Sequence, residues 1–349
     1  MGVSTFERVK YAVEKYSRIV YRKARASLRT RAQVEKKFRR RYFAEIPVDI
    51  EAIGEYRAEC FPASGPAPWL DRPDALDRIA QKEKCGELTG SDAEACRKWA
   101  RDGYFIAKKL FDDAYLDEVW SIYEKAVEAG TIKLDAEKAA ENDPYPGRFL
   151  NPHMNIPALD GMLKHDLLRH WNELLLGRKN IPFQTITAHK GSQQKEHSDS
   201  IHMTTYPLGY LIAAWIAFED IDEGSGPLIY YPGTHVLPYV FSCTLGIPSG
   251  RYRQVGLKVY SETYEQAIQK IIADKKLRPA YFMAKKGDVL FWHANLIHGG
   301  STRQNISLSR KSLVCHYFAD GAVCYHDLAG MPADPARVLT DPMLKDMLM

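Results

Sequence analysis

From Ile181 onward the chain runs in short apolar stretches separated by Gly, Pro and Asp: FQTITA, GYLIAAWIAFE, GPLIYYP, VGLKVY, DVLFWH and SLVCHYFA. Runs of this length, rich in β-branched and aromatic residues and bounded by turn formers, predict strands. Several in succession predict an all-β barrel or sandwich. One segment among them, Glu262 to Asp274, has helical spacing. Before Ile181 the pattern shifts to the helical period. Ser91 and Glu94 have capping-box spacing and predict a helix running through Trp99. Gly103 then turns the chain into a short strand, Tyr104 to Ala107, and further helices are expected over 113–128 and 158–176. Residues 46–90, rich in Pro, Gly and Ala, predict an irregular connector. The body is therefore helices first and a β-core second, with no internal repeat.

Residues 4–41 have a different texture. Phe6, Val9, Val13, Tyr16 and Val20 recur at intervals of three and four and share one helical face. Lys10, Lys15, Arg18, Arg22, Lys23 and Arg25 occupy the others, and Lys36, Lys37, Arg39, Arg40 and Arg41 form a dense cluster. Residues 1–41 hold 14 Lys or Arg against 3 Asp or Glu, a local charge of +11. The total is only +4, so the remaining 308 residues carry −7. A basic arm is thus joined to a mildly acidic body, and the near-neutral total is a cancellation. Two readings fit the arm: a helix lying on an anionic membrane surface, or one packed on the body with a solvated basic face. No folded recognition motif accompanies it, so nucleic acid is not an expected partner. The expected organisation is an arm (1–45), a connector (46–90), a catalytic body (91–326) and a tail (327–349).

Composition adds exclusions. With 45% hydrophobic and 26% charged residues, the chain is neither collagen-like nor a disordered tail. The opening MGVSTFERVKYAVEKY lacks the apolar core of a signal peptide. The longest apolar run, Leu208 to Phe218, is too short to span a bilayer. The six cysteines (Cys60, Cys85, Cys96, Cys243, Cys315, Cys324) show no CxxC spacing and are expected to be reduced thiols. The expected location is cytoplasmic, with peripheral membrane association through the arm as its extension.

The chemistry concentrates in three residues, His197 and Asp199 in HSD and His298 in HGGS. Two His and one carboxylate, two close in sequence and one distant, fit the facial triad of a non-haem Fe(II) oxygenase. In extended chain, residues i and i+2 point the same way, so His197 and Asp199 can reach one ion together. Of the competing histidines, His293 and His202 are expected to pack or support, and His235 to tie down its PGTH turn. Arg310, on RKSLVCHYF, offers a fork suited to a carboxylate such as the distal end of 2-oxoglutarate. Ser301 is placed to add a hydrogen bond. Arg303, in the polar turn STRQN, is expected to be solvated.

From about Cys96 to Gly321 these residues resemble the phytanoyl-CoA dioxygenase family of Fe(II)/2-oxoglutarate oxygenases. CRKWARDGYFIAKKLFDDAYLDEV resembles the family's opening helix–Gly–strand unit, and HSDSIHM its proximal metal motif. AAWIAFEDIDEGSGPLIYYPGTH resembles its central Trp-containing strand, and KKGDVLFWHANLIHGGSTRQNISLSRKSLVCHYF its distal motif. The resemblance implies a mainly β fold, a double-stranded β-helix (a cupin-like jelly roll) with flanking helices. It implies Fe(II) at His197, Asp199 and His298, and 2-oxoglutarate held by Arg310 with Trp215 and Ser301 lining its pocket. HGG stands where the family has HG, a departure that bears on Ser301. Gln184 and Thr185 are candidates for further co-substrate contacts.

The implied reaction consumes O2 and 2-oxoglutarate, releases succinate and CO2, and hydroxylates a C–H bond. Related halogenases lack the carboxylate that Asp199 supplies. Desaturation or ring closure on the same scaffold, and a non-catalytic ligand-binding jelly roll, are the rivals. The substrate is a small molecule or a lipid-linked one. Candidates for its pocket are Asn151 to Asn155, Arg148, Lys190, His202 and the insert 236–284.

Overall fold

The structure, a computed structural model, describes residues 42–44, 56–132, 148–247 and 260–333. The basic arm and most of the tail lie outside these residues. So does most of VGLKVY, the expected strand ending at Tyr260. Tyr260 itself opens a π-helical turn, Tyr260–Glu265.

Helices α1 (Ala75–Lys84), α2 (Gly90–Asp102), α3 (Asp113–Glu128), α4 (Pro157–Leu163) and α5 (Asp166–Leu176) precede most of the sheet, and α6 (Gln266–Asp274) interrupts it. Three features differ from the sequence reading. The segment read as an irregular connector contains α1, whose inward face is only Ala75 and Ile79, too thin a stripe to register. Helix α2 is capped by Thr89, whose hydroxyl accepts from the Asp92 N–H at 3.1 Å; Ser91 lies within the first turn. The single helix expected over 158–176 is two. The break falls at Lys164 and His165, where the imidazole Nδ1 accepts from the Leu167 N–H and starts α5.

The strands are β1 (Tyr104–Ala107), β2 (Arg148–Leu150), β3 (Asn180–Ala188), β4 (Thr204–Tyr206), β5 (Leu211–Ala217), β6 (Leu228–Tyr230), β7 (Ala280–Phe282), β8 (Val289–His293), β9 (His298–Gly300), β10 (Ser312–Ala319), β11 (Val323–His326) and β12 (Met331–Pro332). Six form an antiparallel sheet in the order β1-β8-β5-β10-β3-β2. Two three-stranded sheets, β7-β6-β9 and β12-β11-β4, complete the structure. The expected double-stranded β-helix is the architecture observed.

Alternation along the strands creates two cores. Ile212, Ala214 and Ile216 of β5, with Val289 and Phe291 of β8, pack against Trp99, Leu116, Trp120 and Leu168 of the helices. Ala213, Trp215 and Ala217, with Leu290 and Trp292, face the opposite way and meet Leu228, Tyr230 and Phe282 of the small sheet. This inner layer is the barrel interior. Gly103 joins the layers: it closes α2 at φ +76°, and a Cβ there would lie 2.5 Å from the His235 ring. Only glycine meets both demands. No disulfide joins any of the six cysteines. No helix among the described residues is long and apolar enough to cross a membrane.

Candidate metal centre

His197 and His298 face each other across an antiparallel bridge. Each backbone N–H donates to the other's carbonyl at 2.8 Å. The distant ligand thus arrives as the immediate backbone neighbour of the first, with ring centroids 4.4 Å apart. Asp199 opens a short 3-10 turn, Asp199–Ile201, instead of continuing an extended chain. Tyr264, fully buried, holds the residue between the two ligands: its hydroxyl accepts from the Ser198 N–H at 2.8 Å. The insert 236–284, expected as a source of pocket residues, thereby buttresses the metal motif.

The two imidazoles are oriented in the same way. Nδ1 of His197 lies 2.9 Å from the Lys195 carbonyl, and Nδ1 of His298 lies 3.0 Å from the Leu296 carbonyl, each two residues upstream. A carbonyl only accepts, so Nδ1 carries the proton in both rings and Nε2 keeps its lone pair. The Nε2 atoms lie 3.8 and 3.6 Å from Asp199 Oδ1. All three side chains are buried, and their ligand atoms fall within 4.8 Å of one another. Two imidazole nitrogens and one carboxylate oxygen gathered this way would suit a divalent transition-metal ion.

The second carboxylate oxygen is also engaged. Trp292 Nε1 donates to Asp199 Oδ2 at 2.8 Å, and His316 Nε2 lies 3.7 Å from the same atom. Burial alone would raise the Asp199 pKa; the surrounding His298, His316 and His197 outweigh it and hold the carboxyl well below the ordinary range. Burial drives the His197 pKa far down, so the ring is neutral, as a ligand must be. Trp292 and His316 were not singled out from the sequence. The signal available was period-two alternation, which puts Trp292 on the face of Leu290 and leaves His316 as a polar position in the apolar run SLVCHYFA. Trp292→Phe keeps the ring and deletes the N–H. It is expected to lower divalent-ion affinity by about 10–100-fold, as loss of an outer contact to a metal ligand does. Metal titration of a variant with an unchanged circular dichroism spectrum checks this; wild-type affinity would show that Oδ2 needs no anchor.

Arg310 lies two residues before β10 and is buried. Its Nη1 donates to the Gly226 carbonyl at 3.0 Å, and its Nε is buried without a partner among the described residues. Its Cζ sits 5.7 Å from the centre of the Trp215 ring, so Trp215 forms a wall beside it. Burial, then the neighbouring Arg303 charge, lowers the Arg310 pKa to about 10. It remains a cation at neutral pH, and a buried cation calls for an anion. Ser301 behaves differently from expectation: its hydroxyl donates to the Pro227 carbonyl at 2.8 Å, so its proton is committed to the backbone. Arg303 departs from expectation too, being half-buried with its Nε enclosed.

The other candidates separate by strand face. His293 points to the outer face, with Nε2 3.2 Å from Asp71 Oδ2 and the His235 ring edge-on beside it at 5.6 Å. Both are packing residues. His202 lies next to the metal centre, its ring 5.9 Å from His197 and its Nε2 3.2 Å from the Tyr260 hydroxyl; burial lowers its pKa to about 4. Gln184 pairs across the sheet with His316 and shares its face. The Thr185 hydroxyl is engaged 2.7 Å from His153 Nδ1. Arg148 donates to Gln194 Oε1 at 3.4 Å, and Gln194 Nε2 lies 3.2 Å from His197 Nε2, which puts Arg148 and Gln194 on the rim. Lys190 is exposed.

Residues 99–312 match the family model described as phytanoyl-CoA dioxygenase (PhyH). The peroxisomal phytanoyl-CoA dioxygenase of Bos taurus is 31% identical over 144 residues, which is 40% of this chain and 38% of that protein. The match thus spans well under half of that relative's length. Ectoine dioxygenase of Bordetella parapertussis is 23% identical over 254 residues, covering 69% of this chain and 81% of that protein. Two solved structures share the fold. One is SnoK, a non-heme alpha ketoglutarate dependent carbocyclase from nogalamycin biosynthesis (TM-score 0.51, 15% identity, 76% of this chain and 90% of that one). The other is the apoform of EctD from S. alaskensis (TM-score 0.50, 18% identity, 66% and 77%).

Proposed function

Since the chain belongs to the phytanoyl-CoA dioxygenase family, we propose that it is an Fe(II)- and 2-oxoglutarate-dependent hydroxylase acting on a C–H bond of a small-molecule or lipid-linked substrate. The observation that carries this reading is the convergence of His197, Asp199 and His298 in one buried cluster. Both imidazole Nδ1 positions are already committed to backbone carbonyls, which leaves the Nε2 lone pairs for the centre, that of His197 with the Gln194 side-chain nitrogen 3.2 Å away. His197, Asp199 and His298 would hold the iron, and Arg310 the distal carboxylate of 2-oxoglutarate. When bound, iron and 2-oxoglutarate together activate O2 and supply the oxidising power, with succinate and CO2 as by-products.

The chain's own residues act by placement. The mutual backbone hydrogen bonds of His197 and His298 fix the distance between two ligands before any ion arrives. Trp292 occupies Oδ2 of Asp199, so Oδ1 is the oxygen that would hold the ion. Arg310, desolvated beside Trp215, meets a carboxylate in a dry setting where a charge-assisted fork is strong. The buried surroundings limit water at the reacting centre. No side chain needs to act as a general base. Asp199 fills the position that a halide takes in related halogenases, which supports hydroxylation over halogenation.

The substrate side is read from the charge distribution. The +11 of residues 1–41 supports a lipid-linked substrate presented at an anionic surface. One experiment tests both levels: succinate release with Fe(II) and 2-oxoglutarate across soluble sugars, amino-acid derivatives and acyl compounds, and the same classes carried in anionic vesicles. Turnover is expected, with vesicle-borne substrates favoured and that preference lost when residues 1–41 are removed. Preference for a soluble substrate, unaffected by the arm, would remove the membrane reading. No 2-oxoglutarate-dependent succinate with any substrate would remove the oxygenase reading.

A further inference from the structure

Two arginines meet at one glycine beside the inner core, Arg310 with its guanidinium and Arg303 with its stem. Arg310 reaches Gly226 through its hydrogen bond to the carbonyl. Arg303 reaches the same residue from the loop after β9. Its Cγ stands 2.8 Å from where a Cβ on Gly226 would be, and 3.1 Å from the corresponding point on Gly191. Gly226 is itself at φ +82°, so the backbone there suits only glycine, and the missing side chain makes room for the arginine stem.

Arg303 is also held in place. Its backbone N–H donates to Gln193 Oε1 at 3.0 Å, and Nη2 donates to the Ile306 carbonyl. Its Nε, like that of Arg310, is buried without a partner among the described residues. Neither guanidinium forms an ion pair with an Asp or Glu among the described residues. The Arg303 charge is near enough to add to the effect of burial on Arg310. Two cationic side chains that share the contact with Gly226, one of them buried, oppose each other and favour an anion nearby. A single arginine would suffice to orient a carboxylate, so the second charge needs its own account.

Resting on the assignment of Arg310 to the co-substrate's distal carboxylate, we propose that Arg303 is a second cation of the 2-oxoglutarate site, acting on that carboxylate together with Arg310. It is a binding residue for the co-substrate and has no part in holding iron. Its consequence is selectivity: a 2-oxo acid with a distal carboxylate gains from Arg303, and one without it does not.

The test is equilibrium binding by calorimetry to the full chain loaded with Mn(II), which occupies the centre without turnover. 2-Oxoglutarate and pyruvate are compared on the wild type, Arg303→Met and Arg303→Lys. Methionine keeps an apolar stem against Gly226 and removes the charge; lysine keeps both stem and charge. Methionine is expected to weaken 2-oxoglutarate about fivefold, the scale of one charge acting across a partly screened gap, while lysine stays within about twofold of the wild type. Pyruvate affinity should be the same in all three. Equal 2-oxoglutarate affinity in all three proteins, or equal weakening by methionine and lysine, would overturn the charge role. Wild-type protein that binds Mn(II) but no 2-oxoglutarate would overturn the assignment of Arg310 itself, a distinguishable result.

Discussion

Asp199→Ala is expected to abolish Fe(II)-dependent succinate formation and to weaken metal binding by more than about 100-fold, beyond what loss of an outer contact costs. The reason is that Asp199 is the only anion in the cluster. His197 and His298 would bring lone pairs to the ion but no negative charge, and an Fe(II) ion held by them alone would sit buried with its charge unbalanced. The substitution also strands the Trp292 N–H, which donates to Asp199 Oδ2 at 2.8 Å. An unpaired buried donor costs about 1–3 kcal/mol, so some loss of thermal stability should accompany the loss of activity. Asp199→Asn separates the two effects: its side-chain oxygen still accepts from Trp292, while the charge is gone. It should fold close to the wild type and still fail to turn over. Metal titration, succinate assay and thermal melts on both variants provide the check. Wild-type metal affinity and turnover in Asp199→Ala would refute the ligand set.

Arg310→Met should raise the KM for 2-oxoglutarate by about 100-fold, the scale of a buried charged hydrogen-bond pair losing one partner. Its effect on stability runs the other way. Arg310 is 3% exposed, one Nη donates to a carbonyl, and its Nε has no partner among the described residues. Replacing a buried, poorly compensated cation by an apolar side chain of similar length removes a desolvation cost. The melting temperature without co-substrate should therefore hold or rise. Adding 2-oxoglutarate should raise the melting temperature of the metal-loaded wild type and leave that of the variant unchanged, since a ligand stabilises only the fold that binds it. Arg310→Lys should not restore the wild-type KM, because an ammonium cannot offer two parallel N–H groups. A normal KM in Arg310→Met would place the co-substrate elsewhere.

Several elements were legible in the residues. The strand Tyr104–Ala107 and the helix Asp113–Glu128 follow from local pattern, because Gly103 and the apolar periodicity leave one choice. Helix α1 was not legible, since two small inward contacts, Ala75 and Ile79, make no stripe amid Pro and Gly. The break between α4 and α5 was hidden because both halves keep the same apolar period across it. Its place after the distal His suggests that Ser301 adds a hydrogen bond to the co-substrate. Only the approach of Pro227, distant in sequence, commits its proton. Arg303 was read as solvated for the same reason: the glycines that admit its stem come from other loops.

The sequence by itself determined the donor types and their order, the alternation that gives each strand two faces, and the place of an arginine after the distal His. It could not decide which of 11 histidines converge. His293 and His298 are five residues apart, yet one meets Asp71 on the outer face and the other meets Asp199 inside. Period two fixes that His293 and Trp292 point oppositely, but not which direction is interior. That is set only when the small sheet closes over Trp215 and Trp292 while the helices cover the other side. A ligand set is a meeting of distant segments, and such meetings depend on packing energies summed over the whole fold, which no local pattern contains.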